Sequence, residues 1–390
     1  MSETIRTECF DETPTRVVSG PGALGSSRAC LAGMGIARAL IVCGANVAKL
    51  PQVEEFTRAC EGCIETAVFS GAEPDPTDAN VIEGGAMGRD FGAEVVIGIG
   101  GGSSMDCAKA IAAEIGAEGW IAAQDRPGEP TEIAHEALPI VCVPTTAGTG
   151  SEVNPFSVIT FTETERKLVL SHEALYPRCA VLDPTLLVSA PTMVRVAAGL
   201  DALTHAVESY VSNRATPETR KWAGESIRGV SKYLERVAED AGDMQAQAGM
   251  QRAAMVASLS FAQTRLGIVH AMALPLSALF GVPHGVANAI LLPHGMRFNF
   301  EADAKGFAAI AAHLGVDVEG LSTEQAAAAA PEAVAALAQR VGAPTAMSEV
   351  GVKADAIERM ADDAMQSAHV HVNPREISRE DVVAVYEAAM

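Results

Sequence analysis

The 390 residues are 48% hydrophobic and 20% charged, the composition of a globular protein with a generous apolar interior and a length that favours two domains over one core. A formal net charge of −21 argues against nucleic acid and anionic membrane surfaces as partners, and no run reaches the ~20 apolar residues of a membrane span. The polar, acidic start MSETIRTECFDETP and eight cysteines without a disulfide-like pattern make the cytoplasm the expected location; the lone C-x-x-C at Cys60 and Cys63 is too sparse to argue for zinc or redox chemistry.

Up to about residue 188, short β-rich runs alternate with helical stretches. Strands are expected at Arg16–Ser19, Ala39–Cys43, Glu65–Ser70, Val95–Ile99 and Ile140–Val143, with helices at Val47–Cys60, Asp78–Gly88 and Ser104–Ile115. Such alternation predicts right-handed βαβ units and a parallel sheet. Phe156–Thr160 and Lys167–Leu170 read as a hairpin turning at Glu163–Arg166, and Cys179–Leu182 as a further strand. Within this half, VVIGIGGGSSMDCAKA (95–110) carries a buried strand through three glycines into a helix. Glycine lets backbone N–H groups approach a phosphate, and the helix N-terminus adds partial positive charge there. Ser103 can donate to that phosphate, while Asp106 suits either the helix dipole or a ribose hydroxyl. The run is neither G-x-G-x-x-G nor a P-loop, so an ordinary tight turn stays open. In VPTTAGTGSEV (143–153), Thr145, Thr146, Thr149 and Ser151 follow the next strand, at the strand end where open α/β sheets bind ligands.

After Asp183-Pro184 nearly every segment is alanine-rich and helix-periodic, predicting seven to nine helices over 189–390. Pro191 is expected in a first helical turn. Breaks are expected at Arg214–Pro217, Gly281–Pro283, Pro293–Gly295, Gly315–Glu319, Gly342–Pro344 and Asn373-Pro374, and residues 326–338 are expected to join two helices. Asp201 and His205 lie four apart in GLDALTHAVESYVS, on one helix face. His270 and His284 follow, fourteen residues apart. Three imidazoles and one carboxylate suit Fe2+, Zn2+ or a similar divalent ion; by spacing alone, ordinary structural roles stay open. Arg195, Arg265 and Arg297 flank these segments as candidates for an anionic substrate group, surface ion pairs being the plainer reading.

GPGAL (20–24), EPDPT (73–77), GGGSSMDCAK (100–109), PTTAGTGSEV (144–153), GLDALTHAVESYVS (199–212), HAMALPLSALFGVPHGVANAILLPH (270–294) and NPRE (373–376) together resemble the iron-dependent (group III) alcohol dehydrogenase family, in family order and over almost the whole chain. The resemblance implies the dehydroquinate synthase-like fold: a Rossmann-like α/β domain for NAD(P), residues 1–188, and an all-α metal-binding catalytic domain, residues 189–390, with the active site in the cleft. It implies Asp201, His205, His270 and His284 as the catalytic set and as ligands of a divalent metal, Fe2+ before Zn2+. Cofactor contacts fall on Gly44, Asp75, Gly101, Gly102, Ser103, Asp106, Thr145, Thr146, Thr149 and Lys167. The implied reaction is hydride transfer between nicotinamide and an alcohol or carbonyl held at the metal. The expected partner is a small alcohol, aldehyde or keto acid, with Phe156, Phe261, Leu274, Leu279 and Phe280 shaping its pocket. A homodimer or higher homo-oligomer is expected, with strand exchange around Thr15–Ser19 as one route.

Two positions depart from the family pattern. A histidine common four residues after the third ligand is replaced by Leu274, which makes that wall apolar and leaves the proton partner unassigned. The strand ALIVCGAN ends in Gly44, Ala45 and Asn46 where many NAD-preferring relatives place an aspartate, so NADP(H) is not repelled. The alternative is a maleylacetate reductase-like enzyme of aromatic degradation, which shares the second departure but often loses the aspartate ligand kept here as Asp201.

Overall fold

The computed structural model describes residues 5–125, 137–164 and 166–390; Glu165 of the expected hairpin turn lies outside them, as do the side chains of residues 28–30, 32 and 33, Cys30 among them. The chain forms two compact units: Met1–Thr146 with Gly150–Val188, and Ala147–Thr149 with Ser189–Met390.

The first unit runs β1 (Arg6–Phe10), β2 (Thr13–Ser19), α1 (Ala23–Gly33), β3 (Arg38–Val42), α2 (Pro51–Cys60), β4 (Glu65–Phe69), α3 (Asp78–Phe91), β5 (Val95–Gly100), α4 (Gly102–Gly116), α5 (Trp120–Ala123), β6 (Ile140–Pro144), β7 (Phe156–Phe161), β8 (Arg166–Ser171) and β9 (Cys179–Leu182). Seven strands form one sheet in the order β1-β2-β9-β6-β5-β3-β4, and β7 and β8 form a separate antiparallel pair. Every pairing in the large sheet is parallel except the β1–β2 hairpin. Strands β5, β6 and β9 are buried along their whole length, as expected of parallel strands covered on both faces, and their unbroken apolar runs made them legible.

Two details differ from expectation. The helix foreseen over Val47–Cys60 is split into a 3-10 turn, Val47–Lys49, and α2. Leu50 precedes Pro51 and is extended, at φ −68° and ψ 133°, because the proline ring crowds a helical residue before it. The β1–β2 hairpin was not foreseen, since its Asp11-Glu12 turn lacks the usual glycine or asparagine. Strand β2 is paired on both sides, with β1 and β9, so Thr15–Ser19 offers no free edge for exchange; the sheet's outer edge on that side is β1.

The second unit contains α6 (Thr192–Val211), α7 (Pro217–Glu239), α8 (Met244–Thr264), α9 (Ile268–Phe280), α10 (His284–Asn299), α11 (Ala304–His313), α12 (Thr323–Arg340), α13 (Ile357–Ala364) and α14 (Arg379–Ala388). Pro191 stands just before α6 rather than in its first turn. Pro293 and Gly295 lie inside α10, and residues 326–338 sit inside one helix, α12, with Pro331 in its interior. A proline removes one backbone hydrogen bond, yet Pro293 and Pro331 are both buried. Packing of the helix faces outweighs the local break, because tertiary contacts supply most helix stability.

Candidate metal centre and cofactor loops

Asp201 and His205 come from one face of α6, His270 from the first turn of α9, and His284 is the first residue of α10. Asp201, His205 and His270 are buried, at 3%, 5% and 4% exposure; His284 is half-buried. Asp201 Oδ1 lies 3.9 Å from both His270 Nε2 and His284 Nε2, and Asp201 Oδ2 lies 3.8 Å from His205 Nδ1. One donor atom each from Asp201, His270 and His284 falls within a 4.8 Å span. His205 stands beside this trio, its ring stacked between Phe261 and His270 with centroids 4.5 and 4.6 Å away.

The surroundings fix which atoms face inward. Glu208, one turn beyond His205 on α6, accepts the Val269 N–H at 2.7 Å through one oxygen and meets His270 Nδ1 at 2.6 Å with the other. With a carboxylate as its partner, Nδ1 carries the proton, so Nε2 turns a lone pair toward Asp201. Asn288, on α10, points its amide nitrogen at Asp201 Oδ1 (2.7 Å), His270 Nε2 (3.2 Å) and His284 Nε2 (3.1 Å). One amide has two hydrogens and cannot satisfy three acceptors. His205 Nδ1 is buried without a hydrogen bond. This cluster holds more lone pairs than protons, which is the chemistry a divalent cation satisfies. Burial opposes charge on Asp201, but the three histidines and Asn288 hold its carboxyl below the usual range. Burial, followed by His205 and His284, pushes His270 well below the ordinary histidine value, so it is a neutral imidazole.

The start of α9 is held by the C-terminal segment. Asn373 accepts from Ile268 N–H and from Asn299 Nδ2, and donates to Asn299 Oδ1. Gly267 is needed at this junction: a Cβ there would lie 2.8 Å from Asn373 Oδ1 and 3.0 Å from Glu208 Oε1. The asparagine of the NPRE motif thus holds the backbone at the start of α9, the helix that carries His270. Sequence reasoning missed Glu208, Asn288 and Asn373 as parts of the centre. Glu208, three residues after His205 on the same helix, was the one with a spacing signal.

In the first unit, the glycine-rich run joins β5 to α4. Gly100 has φ +152°, and a Cβ on it would meet Ser104 Oγ at 2.4 Å. Gly101 precedes α4 and Gly102 opens it. Thr145 N–H donates to Gly100 O at 2.9 Å, and Thr146 Oγ1 lies 3.3 Å from where a Gly101 Cβ would stand. Asp75, Ser103 and Lys167 meet: Ser103 Oγ accepts the Asp75 N–H at 3.3 Å, and Lys167 forms an ion pair with Asp75. Asp75 has φ +54° ahead of Pro76, strained backbone of the kind that clusters at ligand sites. Asp106 instead looks inward, accepting from Ser151 Oγ at 2.6 Å and Val158 N at 3.1 Å. Beside it Lys109 is fully buried and donates to Ser151, Asn154 and the Phe156 carbonyl. Gly44 bridges to Gly71 beyond β3, and Thr149 belongs to the second unit.

Of the expected pocket residues, Phe261 lies on His205. Leu274, Leu279 and Phe280 are half-buried on α9, and Phe156, half-buried, begins β7. Arg195 is tied to Ala190, Thr192 and Val237, and Arg297 to Glu332, so both serve structural contacts.

A parallel α/β unit with a glycine loop and a helical unit with a carboxylate–imidazole cluster define a nucleotide- and metal-using enzyme. Residues 14–184 match the family model described as iron-containing alcohol dehydrogenase, and residues 195–390 the one described as Fe-containing alcohol dehydrogenase family, C-terminal. The chain belongs to the iron-containing alcohol dehydrogenase family, and is a metal-dependent, nicotinamide-linked oxidoreductase of alcohols and aldehydes. It is 38% identical over 329 residues to 1,3-propanediol dehydrogenase of Klebsiella pneumoniae, covering 84% of each chain. It is 37% identical to lactaldehyde reductase of Escherichia coli (strain K12), over 95% of this chain and 96% of that one. The solved alcohol dehydrogenase from Oenococcus oeni matches with TM-score 0.92 at 31% identity, over 96% of this chain and 98% of that one. Nothing in these comparisons favours the maleylacetate reductase alternative. Among the described residues no helix is long and apolar enough to cross a membrane.

Proposed function

We propose that Asp201, His205, His270 and His284 hold Fe2+ in the helical unit, residues 189–390, and that the α/β unit, residues 1–188, binds NAD(P) through the Gly101–Ser103 loop, Asp75, Thr145, Thr146 and Lys167. The observation that carries this reading is the convergence of Asp201 Oδ1, His270 Nε2 and His284 Nε2 on a single amide that cannot satisfy them all. When bound, the metal supplies Lewis-acid stabilisation to the substrate oxygen and the nicotinamide supplies or takes the hydride. The chain's own residues prepare that step. Glu208 sets the tautomer of His270, Phe261 holds the His205 ring, and the single carboxylate of Asp201 leaves a divalent centre net positive toward a developing oxyanion. The half-buried His284 marks the accessible side. The substrate is a small alcohol or aldehyde, as the names of the propanediol and lactaldehyde relatives suggest.

The protein acts in the cytoplasm, in keeping with seven free cysteines among the described residues, on small molecules rather than nucleic acid, and as a homo-oligomer using the open edge of β1. Metal analysis tests the core of this reading. Wild type should retain about one Fe2+ per chain and oxidise NAD(P)H with short aldehydes. Asp201→Ala and His284→Ala should lose both the metal and the activity. Metal retained in both variants would sink the assignment.

A further inference from the structure

Leu274 leaves α9 without a polar group one turn beyond His270, but another element brings one. His369, in the 3-10 turn Ala368–Val372, sets its ring edge-on to His270 with centroids 6.2 Å apart. The turn is anchored: Ser367 Oγ accepts from the His369 N–H, and Asn213 and Ser212 bond the carbonyls of His371 and Val372. The ring itself has no such tie. His369 Nδ1 is shielded from solvent without a hydrogen-bond partner, although the residue as a whole is only half-buried. A shielded polar atom without a partner is costly, and native folds seldom leave one unless something else satisfies it. Glu208, Arg265, His284 and His205 lie around it, so the ring borders the candidate metal cluster.

We infer that His369 hydrogen-bonds a second oxygen of the substrate, and that the substrates are short hydroxyaldehydes and the diols they form rather than simple alkanols. The inference rests on the proposed metal centre: with one substrate oxygen at Asp201, His270 and His284, an oxygen on a neighbouring carbon is the group that would meet a ring beside His270. An alkyl group there would leave the imidazole unpaired, and a site that must hydrogen-bond an oxygen discriminates against analogues lacking it.

The test compares kcat/KM for lactaldehyde with kcat/KM for propanal in iron-loaded wild type and in His369→Phe, His369→Asn and His369→Gln, with iron per chain measured in each. Thermal shifts by 1,2-propanediol against 1-propanol serve as a binding readout. Wild type should favour lactaldehyde. His369→Phe should lower that preference ~10-fold, mainly through KM, as expected for one lost hydrogen bond. One of the two amide variants, each placing a polar atom near one ring nitrogen, should recover most of it, and the diol's extra thermal shift should follow the same order. A preference unchanged in His369→Phe overturns the inference, as does a wild type that treats both aldehydes alike. A proportional loss on both substrates accompanied by loss of iron overturns it too, since His369 would then only pack against His270. Wild type that binds iron but reduces neither aldehyde refutes the proposed function itself, and this inference with it.

Discussion

At the residue scale, the centre depends on groups that orient its imidazoles. Glu208 is buried, and burial raises its carboxyl above the usual range against the Gly267 and Val269 N–H groups, yet it is held at 2.6 Å from His270 Nδ1. Replacing it with Gln keeps the shape but turns a strong acceptor into an ambiguous one. Glu208→Gln should weaken iron affinity ~10–100-fold in chelator competition while leaving the melting temperature of the metal-free chain nearly unchanged; unchanged affinity would remove Glu208 from the design. A second prediction concerns Glu152, 2% exposed and pushed by burial from 4.5 to about 7. Between these values the folded chain keeps a proton that the unfolded chain has released, so this residue's contribution to stability falls as pH rises from about 4.5 to about 7. Glu152→Gln removes that dependence. Relative to wild type, the variant should be more stable at pH 8 than at pH 5, on the order of 2 kcal/mol, in denaturant titrations at the two pH values. The four ligand candidates were visible in the sequence as residue types at helical spacing. Asn288 and His369 were not, because an isolated asparagine or histidine has no meaning until folding supplies its neighbour; Glu208 offered only its helical spacing from His205.

At the element scale, the junction of β5 and α4 concentrates the constraint. Gly98 and Gly100 are the restricted glycines of the run: a Cβ on Gly98 would come 2.8 Å from Ala108 Cβ, and one on Gly100 2.4 Å from Ser104 Oγ. The sequence drew attention to Gly101 and Gly102, which lie at the start of α4 with no positive φ. Gly100→Ala should cost ~1–3 kcal/mol in denaturant unfolding, from positive φ and the clash together, and should weaken NAD(P)H binding by displacing the loop. A full-strength cofactor titration would show that the loop tolerates a side chain. Helices were read well where glycine and proline fell between them. They were misread where Pro293 and Pro331 sit inside α10 and α12, because local propensity is a weak signal against a buried helix face.

At the scale of the whole molecule, two features of the sequence bear on the assembled enzyme. The turn after β3 offers Gly44, Ala45 and Asn46 without a carboxylate, so NADPH should be accepted within about tenfold of NADH in kcat/KM; a preference for NADH above a hundredfold would contradict that expectation. Metal binding should also stabilise the fold, since an ion held only by the native chain shifts unfolding by mass action. Chelation should lower the melting temperature of wild type but not of Asp201→Ala.

The sequence by itself determined the family, the division between α/β and helical halves, the order of motifs and the residues proposed for the metal centre. These are properties of spacing and residue type, repeated along the chain and readable without neighbours. Only the tertiary structure decided which nitrogen of His270 turns inward, that Asp106 bonds inward to Ser151 and Val158, and that Asn373, over a hundred residues after Gly267, holds the start of α9. It also decided that His369, from the C-terminal segment, stands edge-on to His270. Hydrogen bonds and charges act over a few ångströms of space, and residues far apart in the chain come within that range only when the fold closes.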